Sequence, residues 1–313
     1  MRRLKILTWH THGSYLYYLT HAPHDFYILS RPGRPPGYGG RCGNLRWGDN
    51  VHDQPIATLH GQQFDCILYQ DDPQYLEDRH QLLDRGQQRL PAIYVEHDPP
   101  RGHPTDTLHP VNDPGMVLVH VTAFNALMWN NGRTPVRIIE HGVPCPVQQW
   151  AGGLERGITI VNHLSGRGRR LGADLFCQAR QSVPLDLLGM GSESLGGLGE
   201  LSLHEIPPTC ARYRFFFHPA RYTSLGLAVI EAMMMGMPVV ALATTEMPTL
   251  IGNGVHGFVD TRPARLIEGM QCLLKDRRLA HAMGTQAQML ARRRFSIKRF
   301  ASDWDKLFRE VAA

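Results

Sequence analysis

Short apolar runs, separated by loops or helical stretches, mark the first half of the chain. They lie at residues 4–9, 64–69, 92–96, 116–121 and 136–140. Near-continuous apolar runs of this length are typical of strands in a parallel sheet that is covered on both faces. The pattern therefore predicts an α/β arrangement here. Residues 31–53, by contrast, are rich in Gly, Pro and Arg, have no periodicity and predict a long loop.

The same alternation returns in the second half after a polar stretch at 148–153. Apolar runs predict strands at 158–161, 185–188, 213–217 and 238–243, and the intervening pattern predicts helices at 172–181 and 225–235. We place a domain boundary after residue 150, where the first pattern has stopped. Two successive βα arrays predict two Rossmann-like, doubly wound domains, 1–150 and 151–295.

The last segment, 296–313, carries its apolar residues at helical spacing on one stripe. The stripe consists of Ile297, Phe300, Trp304, Leu307, Phe308 and Val311. Such a stripe predicts an amphipathic helix that packs against a core. The stripe alone leaves the packing partner open.

The chain has a net charge of +5, which favours anionic partners. Its basic clusters are not interleaved with aromatic residues that stack on bases, so we expect no nucleic-acid partner. The charge is compatible with peripheral contact with the inner membrane face, although solvated surface charge is the commoner meaning. The first residues lack the apolar core of a signal peptide and the six cysteines lack C-x-x-C spacing. These features predict a cytoplasmic protein with reduced thiols.

The most informative stretch runs from the apolar strand at 213–217 into a helix that we predict to begin near Thr223. Thr223 or Ser224 can cap this helix, and Gly226 keeps its first turn open to close approach. Free N–H groups and the positive end of the helix dipole suit a diphosphate. We expect the phosphate contacts at Ser224, Leu225, Gly226 and Leu227.

Glu231 follows in the same helix, about two turns in, among apolar residues. A carboxylate in such surroundings needs hydrogen-bond partners, and vicinal ribose or sugar hydroxyls supply two donors. An isolated glutamate more commonly lies on a solvent face or pairs with an arginine. Both interpretations stay open on this residue alone.

The whole stretch 223–259 resembles the donor-site segment of family 4 glycosyltransferases, which reads E-G-F-G-L-x-x-x-E-A-M-A-x-G-x-P-V-V-A. The matches lie at 224–227, 231–233, 236, 238–241 and 253–259. This density of matches is specific, whereas a single Gly-rich turn is not. The resemblance implies the GT-B fold, in which two Rossmann-like domains face a cleft. Domain 1–150 would bind the acceptor and domain 151–295 the nucleotide sugar, and the final helix, here 296–313, would cross back onto the first domain.

More weakly, the resemblance extends to the whole chain. His163, Arg169 and Arg170 lie where the family holds the donor diphosphate with a basic pair, and Gly189 lies in its Gly-turn near the nucleotide base. In the first domain, Gly13 belongs to the turn that approaches the donor phosphates in the family.

His97 resembles the family's acceptor-side histidine, with Asp98 able to orient it. A loop histidine that only caps its neighbours is an equally good interpretation of His97. The pair His10 and His12 lacks a third ligand at recognisable spacing, and we expect no metal site.

Three departures from the family pattern concern the donor site. Thr223 replaces the first Glu of the E-x7-E motif, so the carboxylate that contacts the donor sugar is absent. His163 and Leu171 occupy the places of the basic pair, so Arg169 or Arg170 would have to substitute. The G-G-x-P-E loop becomes Ala243-Thr-Thr-Glu-Met-Pro.

The resemblance implies a hexosyltransferase-type enzyme, of the kind used in polysaccharide biosynthesis. It would move a sugar from a nucleoside-diphosphate-sugar donor to a saccharide or lipid-linked acceptor, with retention of configuration and without a metal or other cofactor. Glu231 would hold the ribose, and His97 and Thr223 would lie near the reacting sugar. Two alternatives stay open because of Thr223: a GT-B protein that binds a nucleotide sugar without transferring it, and a GT-B epimerase acting on a UDP-sugar.

Overall fold

The computed structural model describes residues 2–43 and 45–313. Its strands are β1 (Lys5–Thr8), β2 (Asp25–Ser30), β3 (Val51–Pro55), β4 (Cys66–Tyr69), β5 (Ala92–Glu96), β6 (Val117–His120), β7 (Val136–Ile138), β8 (Leu154–Ile160), β9 (Leu185–Leu188), β10 (Tyr213–His218), β11 (Val239–Leu242) and β12 (Gly257–Asp260). Its α-helices are α1 (Gly13–Leu19), α2 (Arg79–Gln81), α3 (Ala123–Met128), α4 (Leu164–Leu171), α5 (Ala173–Arg180), α6 (Ile206–Cys210), α7 (Leu227–Met235), α8 (Met247–Leu250), α9 (Pro263–Lys275), α10 (Arg277–Arg294) and α11 (Ile297–Val311). Short 3₁₀ or π turns lie at Ile56–Thr58, Gln74–Asp78, Gln87–Arg89 and Ser192–Leu195.

The chain forms two compact units. Unit 1 comprises Met1–Gly142 and Ile297–Ala313, and unit 2 comprises Val143–Ser296. The first boundary thus lies earlier than the residue 150 that we place from the sequence. Two hydrogen bonds explain why residues 143–150 belong to unit 2. The Val143 N–H donates to the Phe295 carbonyl and the Trp150 N–H donates to the Met235 carbonyl, both at 2.9 Å.

Unit 1 contains a parallel sheet with the strand order β3-β2-β1-β4-β5-β6-β7. The order reverses between β1 and β4, so the carboxyl ends of these two strands flank the crevice where open α/β sheets bind ligands. Unit 2 contains a second parallel sheet with the order β12-β11-β10-β8-β9. Here the order reverses at β8 and β10. The α/β fold class predicted from the sequence is confirmed.

All the strands predicted from apolar runs are present. The structure also contains β2, β3 and β12, which we did not predict from the sequence. The apolar centre of β2 was a readable signal that our interpretation missed. The edge strand β3 reads Val-His-Asp-Gln-Pro and has no such signal, because an edge strand needs no continuous apolar run. It pairs with β2 in parallel register, so the predicted loop 31–53 ends in a strand.

Helix α11 buries its predicted stripe in unit 1. Phe300, Trp304, Leu307 and Phe308 are buried. The ring of Phe300 lies 5.5 Å from the ring of Tyr15 on α1. A Cβ on Gly142 would lie 2.1 Å from the Phe300 Cβ, so the chain approaches α11 closely only because Gly142 has no side chain.

In the described part of the chain, no helix combines the length and apolarity that a membrane span requires.

Candidate functional site

The reversal of strand order in unit 2 brings together the residues that follow β8 and β10. Asn162 and His163 follow β8, and His218 is the last residue of β10. His163 adopts a left-handed conformation, with φ 52°, and its side chain is exposed. The sequence alone did not single out Asn162.

The turn after β9 packs against the turn after β8. The His163 N–H donates to the Met190 carbonyl at 2.7 Å, and the Met190 N–H donates to Asn162 Oδ1 at 3.0 Å. Gly189 has φ 131°, and a Cβ there would lie 2.8 Å from the Val161 carbonyl oxygen. Two of the predicted binding positions, His163 and Gly189, therefore share one rigid double turn.

A network of charged side chains connects α5 with the loop after β10. The Asp174 carboxylate accepts from the Arg221 guanidinium at 2.6 and 2.8 Å and from Arg169 at 2.7 Å. The hydrogen bonds from Arg221 hold the pKa of Asp174 below its ordinary value. Arg169 is thus partly neutralised by Asp174, and Arg221 is a second, oriented cation beside it. Our sequence interpretation missed both Arg221 and Asp174, since nothing local marks a pair so far apart in the chain.

Backbone hydrogen bonds also connect α4 with the loop after β10. The N–H groups of Arg221 and Tyr222 donate to the Arg170 carbonyl at 2.9 and 3.2 Å. Gly172, between α4 and α5, has φ 82°, and a Cβ there would lie 2.1 Å from the Pro219 carbonyl oxygen. The end of α4 and the loop after β10 therefore meet at Gly172, a position that only glycine fits.

Helix α7 begins at Leu227, later than the start near Thr223 that the sequence predicts. Its N-cap is Gly226, in extended conformation and without a side-chain cap bond, so neither Thr223 nor Ser224 caps it. Ser224 and Leu225 are buried in the loop between β10 and α7. The amino end of α7 is thus left without a capping side chain. Glu231 lies about one turn inside rather than two.

Two side chains frame this helix start. His218 is buried, and its ring lies 4.0 Å from the place where a Cβ on Gly226 would be. Its Nε2 has no hydrogen-bond partner among the described residues, and burial lowers the pKa of His218 to about 4. Glu231 is half-buried. Burial raises the pKa of Cys210 to about 12, and the negative charge of Glu231 raises it further. A neutral imidazole and a carboxylate therefore lie close to one helix end.

The loop after β11 contains Thr244 and Thr245. Thr244 Oγ1 donates to the Ala220 carbonyl at 3.0 Å, which ties this loop to the one after β10. Thr245 has φ 52°, a conformation that glycine adopts more easily.

In unit 1, His97 follows β5, and its ring contacts two aromatic neighbours, one tilted and one edge-on. Its ring centroid lies 4.1 Å from that of His12 and 4.6 Å from that of Tyr15. Its Nε2 is buried without a hydrogen-bond partner among the described residues. Burial, reinforced by His12 and His141, holds the pKa of His97 well below its ordinary value. His97 is therefore neutral at pH 7. Gly13 is the first residue of α1.

The carboxylates beside His97 have other partners. Asp98, which we expected to orient His97, binds Arg101 instead. Glu96 accepts from the Asp98 N–H at 2.7 Å and contacts His109 Nε2 at 3.2 Å. Because His109 Nδ1 accepts from the Val111 N–H, the neutral His109 ring carries its proton on Nε2 and donates it to Glu96. Burial raises the pKa of Glu96.

The comparisons with known proteins concern the fold of the chain and one segment of unit 2. Residues 192–289 match the family model of glycosyl transferases group 1. Among solved structures, sucrose-phosphate synthase from Thermosynechococcus elongatus has a TM-score of 0.72 at 15% identity, with 99% of each chain covered. HepE from Anabaena, in complex with UDP and glucose, has a TM-score of 0.69 at 14% identity, with 98% of this chain and 100% of that one covered. The chain has the GT-B fold. A glycosyltransferase from Rickettsia africae matches at 0.70 and 11% identity, with 99% of each chain covered. No curated protein sequence matches.

Within this GT-B chain, the group 1 match includes α7 and the strands on either side of it, with Thr223, Gly226 and Glu231. The double turn of His163 and the basic residues of α4 precede the matched segment. The narrower assignment to family 4, and the roles of the individual site residues, stay predictions.

Proposed function

We propose that this chain is a glycosyltransferase that takes a sugar from a nucleoside-diphosphate-sugar donor and transfers it to a saccharide or lipid-linked acceptor. The observation that carries the proposal is the open amino end of α7. It follows β10 at the point where the unit 2 strand order reverses, and it lies within the segment that matches group 1 glycosyl transferases.

The chemistry requires stabilisation of a departing diphosphate. The first N–H groups of α7 donate directed hydrogen bonds, and the helix dipole adds a partial positive charge. Arg221 supplies full charge nearby, already oriented by Asp174, so little reorganisation accompanies the reaction. Arg169 shares the same carboxylate. In this proposal, Arg169 and Arg221 together take the place of the family's basic pair.

Glu231 accepts hydrogen bonds from the ribose hydroxyls in this proposal. Its position one turn inside α7 supports the role, because a ribose attached to a diphosphate at the helix end reaches that far. Thr223 offers a neutral hydroxyl toward the sugar. As the resemblance to family 4 implies, we expect retention of configuration and no requirement for a metal.

The test is incubation of the protein with radiolabelled UDP-, GDP- and TDP-sugars, with and without acceptors. UDP-sugars come first because the HepE structure is described as a complex with UDP and glucose. We expect slow hydrolysis of one donor, at least tenfold slower in Glu231→Gln. The matched control is Glu268→Gln, an exposed carboxylate on α9 in the same unit.

Each alternative has its own signature in this experiment. Donor binding without turnover, even with acceptors, would identify a non-catalytic nucleotide-sugar-binding protein, the alternative that Thr223 motivates. Isomerised nucleotide sugar without acceptor would identify an epimerase. If no donor binds, the proposal is wrong.

A further inference from the structure

Cys42 and His10 form a close pair in unit 1 that the proposed transfer reaction does not use. His10 follows β1, and Cys42 lies in the loop between β2 and β3. The Cys42 Sγ lies 3.6 Å from each nitrogen of the His10 ring, and both side chains are half-buried. A thiol and an imidazole at this distance are the two components of an activated cysteine, in which the imidazole accepts the thiol proton.

The other hydrogen bond of the His10 ring determines which nitrogen accepts that proton. Nδ1 contacts the Gly40 carbonyl at 2.6 Å. A carbonyl oxygen only accepts, so the neutral ring carries its proton on Nδ1 and has a lone pair on Nε2. Among the described residues, Cys42 is the hydrogen-bond partner of Nε2. The Gly40 carbonyl therefore holds the ring in the tautomer that a base for the thiol needs.

The loop that carries Cys42 is attached on both sides of the sulfur atom. The His10 N–H donates to the Gly37 carbonyl at 3.2 Å, and the Trp47 indole N–H donates to the Cys42 carbonyl at 3.2 Å. A Cβ on Gly39 would lie 2.4 Å from the Cys42 Sγ, so the glycine leaves the space that the sulfur occupies. These contacts keep the sulfur beside the His10 ring.

A cavity of about 560 Å³ lies next to the pair. It is lined by residues that follow β1, by residues that follow β4 and by part of the loop before β3, and both His10 and Cys42 belong to the lining. A cavity of this volume takes a small organic molecule. Because the Cys42 side chain is half-buried rather than enclosed, such a molecule can reach the sulfur.

The other five cysteines lack this environment. Two are buried, and burial raises the pKa of both thiols, Cys66 and Cys210. Three are exposed and have no hydrogen bond to a histidine among the described residues: Cys145, Cys177 and Cys272. Reactive thiols combine access with a neighbouring base or cation. In the described part of the chain, Cys42 alone combines access with a histidine partner.

We propose that Cys42 is a modification site at which a small disulfide forms a reversible mixed disulfide, with His10 as the base. His10 Nε2 accepts the thiol proton, and the Cys42 thiolate attacks one sulfur of the disulfide. The new S–S bond forms as the old one breaks, and the departing thiolate takes the proton from His10. No other oxidant is needed, because the disulfide itself is reduced to a thiol. The inference does not depend on the proposed transferase activity.

The test uses the full chain in its reduced form and dipyridyl disulfide, an uncharged reagent. Mass spectrometry of the digested protein gives the rate of labelling at each cysteine. At pH 7 we expect Cys42 to react about 10-fold faster than the three exposed cysteines, although it is less accessible. Dithiothreitol removes the label. In concentrated urea, where the pair is separated, we expect all the cysteines to react at similar rates.

His10→Gln removes the base and keeps a polar side chain of similar size. We expect labelling of Cys42 to become about 10-fold slower, because an amide does not accept the thiol proton. His80→Gln, at an exposed histidine in the same unit, is the matched control and leaves the rate unchanged. Gly39→Ala displaces the sulfur while keeping both partners, so it also lowers the rate. Thermal melts establish that each variant is folded.

Three results would each overturn the inference. They are labelling of Cys42 no faster than that of the exposed cysteines, a faster rate that persists in urea, and an unchanged rate in folded His10→Gln. If His10→Gln does not fold, Gly39→Ala and the comparison with urea decide in its place.

Discussion

At the scale of single residues, the surroundings decide what a titratable group does. His218 looks from the sequence like a structural histidine before a proline, and Asp174 has no motif around it. In the structure His218 lies against the start of α7, and Asp174 orients Arg221. Both roles depend on neighbours that are distant in sequence.

His218 makes the stability of unit 2 depend on pH. Its pKa is about 4 when folded, against an ordinary value of 6.5. Between these values the unfolded chain binds a proton here and the folded chain does not, so stability is full above pH 6.5 and decreases as pH falls toward 4. The loss amounts to about 3 kcal/mol over this window. Urea unfolding at pH 7 and pH 4.5 measures it.

The variant His218→Gln removes this titration. We expect a smaller difference between the two urea midpoints than in the wild type, whatever its effect at pH 7. His204→Gln, at an exposed site in the same unit, serves as the control and keeps the wild-type difference. A His218→Gln protein with an unchanged pH difference would show that the residue is not buried in the neutral form.

Asp174 is a positioning residue in the proposed donor site. Asp174→Asn removes the charge that orients Arg221, so we expect the Kd for UDP to rise about 5- to 20-fold. Asp186→Asn is the matched control, because Asp186 binds Arg156 through two hydrogen bonds of the same kind outside the site. Calorimetric titration of both variants makes the comparison. Equal Kd values would contradict the role of Arg221.

At the scale of elements, the proposed donor site is a set of loops that follow parallel strands and are connected to one another. The loop after β10 binds the end of α4 and the loop after β11. The turn after β8 binds the turn after β9. Because each loop is held by another, we expect a change at one junction to displace residues of the neighbouring loops.

Gly172 is the junction at which this is easiest to test. In Gly172→Ala the new Cβ would lie 2.1 Å from the Pro219 carbonyl oxygen in a left-handed conformation. We expect a loss of about 2–4 kcal/mol in unit 2 stability and weaker UDP binding. Gly166→Ala, inside α4 with no atom within 4 Å, is neutral or slightly stabilising. Thermal melts and UDP titration read out both variants, and an unaffected Gly172→Ala would contradict the close approach.

At the scale of the whole molecule, unit 1 is built from two separate segments of the chain. The first ends at Gly142, and the second contains α11. Unit 1 therefore depends on a segment that follows unit 2 in the chain. The apolar stripe of α11 supplies buried aromatic rings, including Trp304 and Phe308, which lie 5.1 Å apart.

Trp304→Ala tests this dependence. Loss of a fully buried indole destabilises unit 1 by about 3–5 kcal/mol. Lys306→Ala, two residues away and exposed, changes stability by less than about 0.5 kcal/mol. The unit 1 transition in urea unfolding measures both, and equal midpoints would show that α11 contributes little to the unit.

The sequence by itself determined most of the strands, because burial on both faces of a parallel sheet requires continuous apolar runs. It also determined the α7 segment, whose glycines and Glu231 occur at fixed short spacing. Residues that are close together in the sequence form a motif that can be recognised without a structure. The edge strand β3, which has little apolar surface to bury, left no such trace.

Only the tertiary structure decided the charges and partners of the site. Capping by Gly226 rather than Thr223 depends on how the chain enters the unit, and the pairing of Asp174 with Arg221 depends on two loops meeting in space. In unit 1, Asp71 and Asp72 follow β4 and Asp98 follows β5, so carboxylates from two strand ends lie at one edge of the sheet. Such groups meet because parallel strands place their carboxyl ends at one edge, whatever their separation in the sequence.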